Sequence, residues 1–232
     1  MTQPQVTILA AGMGTRLGRP FPKPLTLLED GRTILAQQLE NIYEAYGADT
    51  KVQIVVGFKL DLILEAAPDV SFVYNERYDQ TNTNRSLLKA LRTSSAGPVV
   101  WMNGDVVFDP AILKRMQANI DADQTVIAVN TSAVSEEEVK YTVTADGMVN
   151  ELSKTVVNGL GEAVGINLIA AKDKVKLINW LAQCDDQDYF ERGIELAIEK
   201  DGLKVLPVDI SDLFAVEVDF EADLERANKR IV

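Results

Sequence analysis

Short β-branched runs alternate with stretches of helical periodicity through the first half of the chain, the pattern of parallel strand–helix–strand units. Val6-Thr7-Ile8-Leu9 predicts a buried strand that runs out into a small-residue, glycine-rich stretch, Ala10 to Gly18. From Thr33 to Tyr46, Ile34, Leu35, Leu39, Ile42 and Tyr43 recur at helical spacing, and Gly47 supplies a stop. Strands are predicted at Val52 to Val56, Val70 to Tyr74 and Pro98 to Met102, with a helix over Asn84 to Arg92. The rhythm then changes. Thr125 to Asn130 reads as a strand, and Val139 to Leu152 as a hairpin turning at Asp146-Gly147, a type I′ pair. A strand at Gly165 to Ala170, helices at Lys172 to Gln183 and Gln187 to Glu199, and a strand at Leu203 to Val208 follow. Ala215 to Asp219 and an amphipathic helix to Arg230 close the pattern.

No linker, repeat or low-complexity block divides residues 1–232, so the expectation is a single α/β domain: a mostly parallel sheet with a β-hairpin insertion. In open sheets of this kind ligands bind beyond the carboxyl ends of the strands, where Gly12 to Gly18 and Asn103 to Asp105 both fall.

Charge narrows the partners. Lys plus Arg number 23 against 35 Asp plus Glu, a net charge of −12, which argues against nucleic acid. There is no histidine, so histidine zinc sites, Ser-His-Asp triads and imidazole proton shuttles are excluded. The single Cys184 excludes a disulfide within the chain and fits a reducing cytoplasm. Met1 to Gly12 makes a poor signal peptide, and the apolar run around Ala163 to Ala171 is too short to insert in a membrane. The expected location is cytoplasmic, and a homodimer is compatible with the sequence.

Against this acidic background, Met1 to Leu28 contains no acid but carries Arg16, Arg19 and Lys23. A cationic, glycine-rich loop at the end of a strand suits a polyphosphate, because backbone N–H groups can approach its oxygens without an intervening Cβ. The Gly-Lys-Ser/Thr ending of a P-loop is missing. A dinucleotide fingerprint fails too: Gly18 comes four positions after Gly14 rather than three, and Gly57-Phe58-Lys59 stands where an acid is needed. Asp105, after Val99 to Met102, is placed to hold a hard cation such as Mg²⁺; judged alone it caps a turn or the next helix. Glu217-Val218-Asp219 is a second acidic strand end, which judged alone caps the final helix.

The segment Gly12 to Leu25, with its ending Pro22-Lys23-Pro24-Leu25, resembles the signature of nucleotidyltransferases that make nucleoside-diphosphate sugars and alcohols. Tyr74 to Tyr78, Asn82, Ser86-Leu87, Asp105-Val106-Val107 and Glu217-Val218-Asp219 are similar, in the same order, to stretches of CTP:phosphocholine cytidylyltransferases. The resemblance implies a three-layer α/β/α, Rossmann-like fold. It places Ala10, Ala11, Gly12, Gly14, Asn82 and Ser86 at the nucleotide and Arg16 on the triphosphate. It places Lys23 across the reaction centre and Asp105 and Asp219 on Mg²⁺. On the acceptor side it implies Lys154 for a phosphate, with Tyr189 and Glu191 near the head group. Where phosphocholine enzymes carry an aromatic for the trimethylammonium, this chain has Val139, with Tyr141 close by.

The implied reaction joins a nucleotide, CMP from CTP, to a small phosphorylated alcohol such as phosphocholine, with release of pyrophosphate. A sugar-1-phosphate or inositol phosphate is the alternative acceptor, and a catalytically silent nucleotide-binding module the alternative class. A phosphomonoester has a second pKa of about 6 and attacks as a dianion, so the missing histidine is no obstacle.

Overall fold

The computed structural model describes residues 2–132 and 138–231. Eleven strands and seven α-helices alternate along it. β1 (Gln5–Ala10), β2 (Val52–Val56), β3 (Ser71–Tyr74) and β4 (Val99–Asn103) are mutually parallel, with β1 between β4 and β2. β1, β2 and β4 are almost wholly buried, as strands covered on both faces must be. β6 (Thr125–Asn130) and β10 (Val205–Asp209) form a second parallel pair. β9 (Gly161–Ile169) joins the two groups, antiparallel to both β4 and β6, giving the order β10-β6-β9-β4-β1-β2-β3. The sheet is thus mostly parallel, and β9 starts four residues before the strand predicted at Gly165.

Alternation along β1 builds two cores. Val6, Ile8 and Ala10 face one side, with α1 (Ile34–Tyr46) and α4 (Ala111–Asp121). Leu9 and Ala11 face the other, with α3 (Thr83–Thr93), α5 (Lys174–Leu181) and α6 (Phe190–Asp201). The result is helices on both faces of one sheet. A short α2 (Leu60–Ala66) lies between β2 and β3. Thr33 caps α1 by accepting from the Ala36 N–H at 3.1 Å.

A third, smaller cluster positions the site. β5 (Val106–Phe108) pairs antiparallel with β11 (Ala215–Glu217), and α7 (Glu221–Ile231) follows. Leu17 of the glycine-rich loop packs with Val107 of β5, Val218, and Leu224 and Ala227 of α7. Apolar contacts therefore bring a loop near the start of the chain against a helix near its end.

The inserted hairpin comprises β7 (Lys140–Val143) and β8 (Val149–Ser153), and β7 also pairs with β9. Its turn is not type I′. Five residues separate the strands, the Gly147 N–H bonds to the Thr144 carbonyl at 2.9 Å, and Gly147 alone has a positive φ, +78°. Asp146 stays out of the left-handed region that a type I′ turn requires. The helix predicted from Lys172 separates into a 3-10 turn at Ala171–Asp173 and α5, and the one predicted from Gln187 starts at Phe190. Among the described residues, no helix is long and apolar enough to cross a membrane.

Candidate active site

β1 ends at Ala10, and the chain turns back on itself through Gly14 (φ +59°) into a 3-10 turn at Thr15–Leu17. A second 3-10 turn at Lys23–Leu25 buries the stem of Lys23. The two turns are in contact: a Cβ on Gly14 would lie 2.6 Å from Lys23 Cγ. Glycine is needed there both for the left-handed backbone and for the space.

The carboxylates arrive from the opposite wall. Asp105 sits on the turn between β4 and β5, while Glu217 ends β11 and Asp219 lies two residues beyond. The Val218 N–H donates to the Asp105 carbonyl at 2.9 Å, locking the two acidic segments together. One carboxylate oxygen from each of Asp105, Glu217 and Asp219 lies within 4.8 Å of the others. Lys23 Nζ reaches Asp105 Oδ2 at 3.0 Å and also donates to Asp219 Oδ1, while Arg16 Nη1 reaches Asp219 Oδ2 at 2.6 Å.

Burial alone would lower the Lys23 pKa, but Asp105 and Asp219 hold the ammonium above its usual range. Burial would likewise raise Asp219, yet Lys23 and Arg16 keep it below the ordinary carboxylate value. Asp105 is raised by burial against the pull of Lys23. Glu217 is raised well above its ordinary value by burial, and then by the negative charge of Asp105, Glu138 and Asp219. The cluster is short of positive charge. Carboxylate oxygen donors that outnumber the cationic side chains paired with them fit a hard divalent cation such as Mg²⁺.

These groups line a cleft of about 480 Å³. Lys154, Tyr189 and Glu191 line it too, and the same three residues border a second cavity of about 680 Å³. Lys154 Nζ sits 5.4 Å from the centre of the Tyr189 ring. Glu191 is 8% exposed, and its Oε2 has no hydrogen-bond partner. Burial pushes its carboxyl up to about 7, against its own N–H and the nearby Lys154 charge.

Of the residues singled out from sequence, Ala10, Gly12, Gly14, Arg16, Lys23, Asp105, Lys154, Tyr189, Glu191 and Asp219 meet around this one cleft. Ala11, Asn82 and Ser86 do not line it. Ala11 packs in the core beneath, and its carbonyl accepts from the Phe58 N–H. Asn82 caps α3 and donates to the Gln187 carbonyl, and Ser86 is buried against Asn75. Thr83, beside Asn82, lines the cleft instead. Sequence reasoning passed over Glu217 and Glu138 as site residues. Glu217 was within reach, since period-two alternation puts it on the same side as Asp219. Glu138 enters by tertiary placement and carries no local signal.

The MobA-like NTP transferase domain family matches residues 6–175. The CMP-5'-(3-aminopropyl)phosphonate synthase of Streptomyces rubellomurinus is 28% identical over 97% of this chain and 38% of its own length. The bifunctional protein GlmU of Pseudomonas aeruginosa is 31% identical over 52% of this chain and 26% of its own. The chain thus spans well under half the length of these relatives. Among solved structures, the CTP:phosphocholine cytidylyltransferase of Streptococcus pneumoniae superposes with a TM-score of 0.78 at 17% identity, all of both chains being covered. The inositol-1-phosphate CTP transferase of T. maritima gives 0.78 at 15%, over 100% of this chain and 98% of that one. At such identities these two likenesses establish the three-layer fold. The glycine-rich loop, the buried Lys23 and Asp105 lie within the matched residues: the chain belongs to the MobA-like NTP transferase domain family.

Proposed function

We propose that this domain transfers CMP from CTP to a small phosphorylated or phosphonylated acceptor with a cationic head group, of which phosphocholine is the type, and releases pyrophosphate. The observation that carries the reading is a single cleft with two chemistries. Arg16, Lys23 and the three acids Asp105, Glu217 and Asp219 line it together with Lys154, Tyr189 and Glu191, whose Oε2 has no hydrogen-bond partner. The S. rubellomurinus CMP-5'-(3-aminopropyl)phosphonate synthase and the S. pneumoniae CTP:phosphocholine cytidylyltransferase, both named for a cytidylyl group and a phosphonate or phosphate bearing nitrogen, support this choice of acceptor.

The residues account for the chemistry as follows. The backbone from Gly12 to Gly14 offers N–H groups to the triphosphate, and Arg16 and Lys23 offset its charge. Asp105, Glu217 and Asp219 would hold Mg²⁺, which supplies positive charge to the phosphate oxygens when bound. Lys154 holds the acceptor phosphate. Glu191, with Tyr189 at its side, takes the cationic head, which favours the ionised carboxylate that burial otherwise disfavours. The acceptor oxygen, already anionic, attacks the α-phosphorus. A new P–O bond forms, the bond from the α-phosphorus to the bridging oxygen breaks, and pyrophosphate leaves with the electron pair. No protein base is needed, so the work of the site is alignment and charge compensation.

The test is pyrophosphate release across the four nucleoside triphosphates, each with phosphocholine, 3-aminopropylphosphonate, inositol 1-phosphate and glucose 1-phosphate. The expected result is release with CTP and one of the two nitrogen-bearing acceptors. Turnover confined to the sugar or inositol phosphates would reassign Glu191, and no release with any pair would leave a nucleotide-binding module.

A further inference from the structure

The acid cluster depends on where the Asp105 turn sits, and that turn is held from behind by side chains outside the cleft. α1 buries three amide side chains among its apolar residues: Gln37, Gln38 and Asn41, at 5, 0 and 6% exposure. A core-facing helix stripe rarely carries so many polar groups; here each amide nitrogen finds a partner, while Gln37 Oε1 and Gln38 Oε1 have none. All three donate to main-chain carbonyls of the β4–β5 segment. Gln38 Nε2 bonds both the Asn103 carbonyl, at 2.9 Å, and the Val106 carbonyl, at 2.8 Å. Those two carbonyls bracket Gly104-Asp105. Gln37 Nε2 and Asn41 Nδ2 both donate to the Phe108 carbonyl, each at 2.7 Å.

We infer that Gln38 is a positioning residue for the reaction, setting the Asp105 carboxylate relative to Glu217 and Asp219. The inference rests on the reading of those acids as a cation site. The turn cannot drift toward β1, because the Gly104 N–H bonds the Leu9 carbonyl at 2.9 Å and a Cβ on Gly104 would stand 2.8 Å from that same oxygen. It is tied to β11 through the Val218 N–H and the Asp105 carbonyl. Gln38 completes this set from the α1 side. Without its donors both carbonyls would lose a buried hydrogen bond, and the turn would shift to recover partners. A shift of a few tenths of an ångström suffices to spoil a carboxylate site for a small hard cation. Phe108, by contrast, has two donors and keeps one if the other is lost.

That asymmetry supplies the control. Gln38→Met keeps the length of the side chain and removes both donors, whereas Asn41→Leu removes a buried amide from the same helix and leaves Phe108 bonded to Gln37. The probe is Mn²⁺ binding to the substrate-free protein by electron paramagnetic resonance, with thermal melting alongside. Expected are melting losses in both variants, the larger in Gln38→Met, with at least tenfold weaker Mn²⁺ binding in Gln38→Met and less than twofold change in Asn41→Leu. In turnover, Gln38→Met is expected to need a correspondingly higher Mg²⁺ concentration, with KM for nucleotide at saturating metal unchanged within about twofold. Should Gln38→Met not fold, Gln38→Glu, which offers those carbonyls at most one donor, is expected to weaken Mn²⁺ binding in the same direction. Equal Mn²⁺ affinity in wild type and the Gln38 variants overturns the inference while leaving the cation site intact. Absence of Mn²⁺ binding to the wild type overturns the cation site, and the role of Gln38 with it.

Discussion

Replacing Lys23 by Met removes the ammonium and keeps most of the stem that packs on Gly14. The Lys23 side chain is 11% exposed, Asp105 18% and Asp219 24%, so the ion pairs are largely shielded from water. A unit-charge pair at 3.0 Å is worth about 5 kcal/mol at an effective dielectric of about 20, before desolvation is subtracted. Removing one partner of such a pair typically costs about 3–5 kcal/mol, since the remaining charges stay buried without compensation. For a domain of this size, about 2–4 °C per kcal/mol turns that into a melting loss of about 6–20 °C without metal. The acids left behind would demand a cation more strongly, so Mg²⁺ is expected to raise the melting temperature more in Lys23→Met than in wild type. At about a hundred times its dissociation constant the ion would return about 2.7 kcal/mol. Turnover should fall about 10²–10³-fold even with Mg²⁺ saturating, as for loss of one preorganised charge at a reaction centre. Scanning calorimetry with and without Mg²⁺, paired with a pyrophosphate-release assay, reads all three quantities. Near-normal turnover, or a melting temperature with no added response to Mg²⁺, would refute this assignment of Lys23.

Asp105→Asn should raise the Mg²⁺ concentration for half-maximal turnover at least tenfold, because an amide is a weaker, uncharged ligand; metal titrations of pyrophosphate release check it. Gly14→Ala forces a left-handed residue with a side chain to within 2.6 Å of the Lys23 stem and should cost about 1–3 kcal/mol in urea unfolding. Glu191 has a folded-state pKa raised to about 7 from 4.5, so its folded form binds the proton more tightly than its unfolded form. Its contribution to stability is full below pH 4.5 and is lost as pH rises through 7. Glu191→Gln should therefore be the more stable protein at pH 8, by about 3 kcal/mol at most, and the gap should close at pH 5, as unfolding at the two pH values will show.

The parallel strands were legible because burial on both faces writes near-continuous apolar runs such as Val52 to Val56, broken only by Gln53, and Val99 to Met102. The helix at Ala111–Asp121 was equally legible, from Ile112, Leu113, Met116 and Ile120 at helical spacing, but it was not among the elements predicted. The antiparallel insertion of β9 was not legible, since strand direction is set by partners distant in sequence. The loop with Arg16 and Lys23 announced itself by charge and glycine. The acids announced themselves only as strand ends, and their meeting depends on the β5–β11 pairing and the Leu17–Leu224 cluster, which are tertiary. Asn82 shows the converse: a residue that fits a motif can be taken up by capping, with its neighbour Thr83 turned to the cleft.

The most direct test is a crystal structure with a non-hydrolysable CTP analogue and Mg²⁺. The expected result is a triphosphate over Gly12 to Gly14, within reach of Arg16 and Lys23, and an ion between Asp105 and Asp219. A triphosphate seated outside the cleft, or an ion with no ligand from those two aspartates, would contradict the central claim.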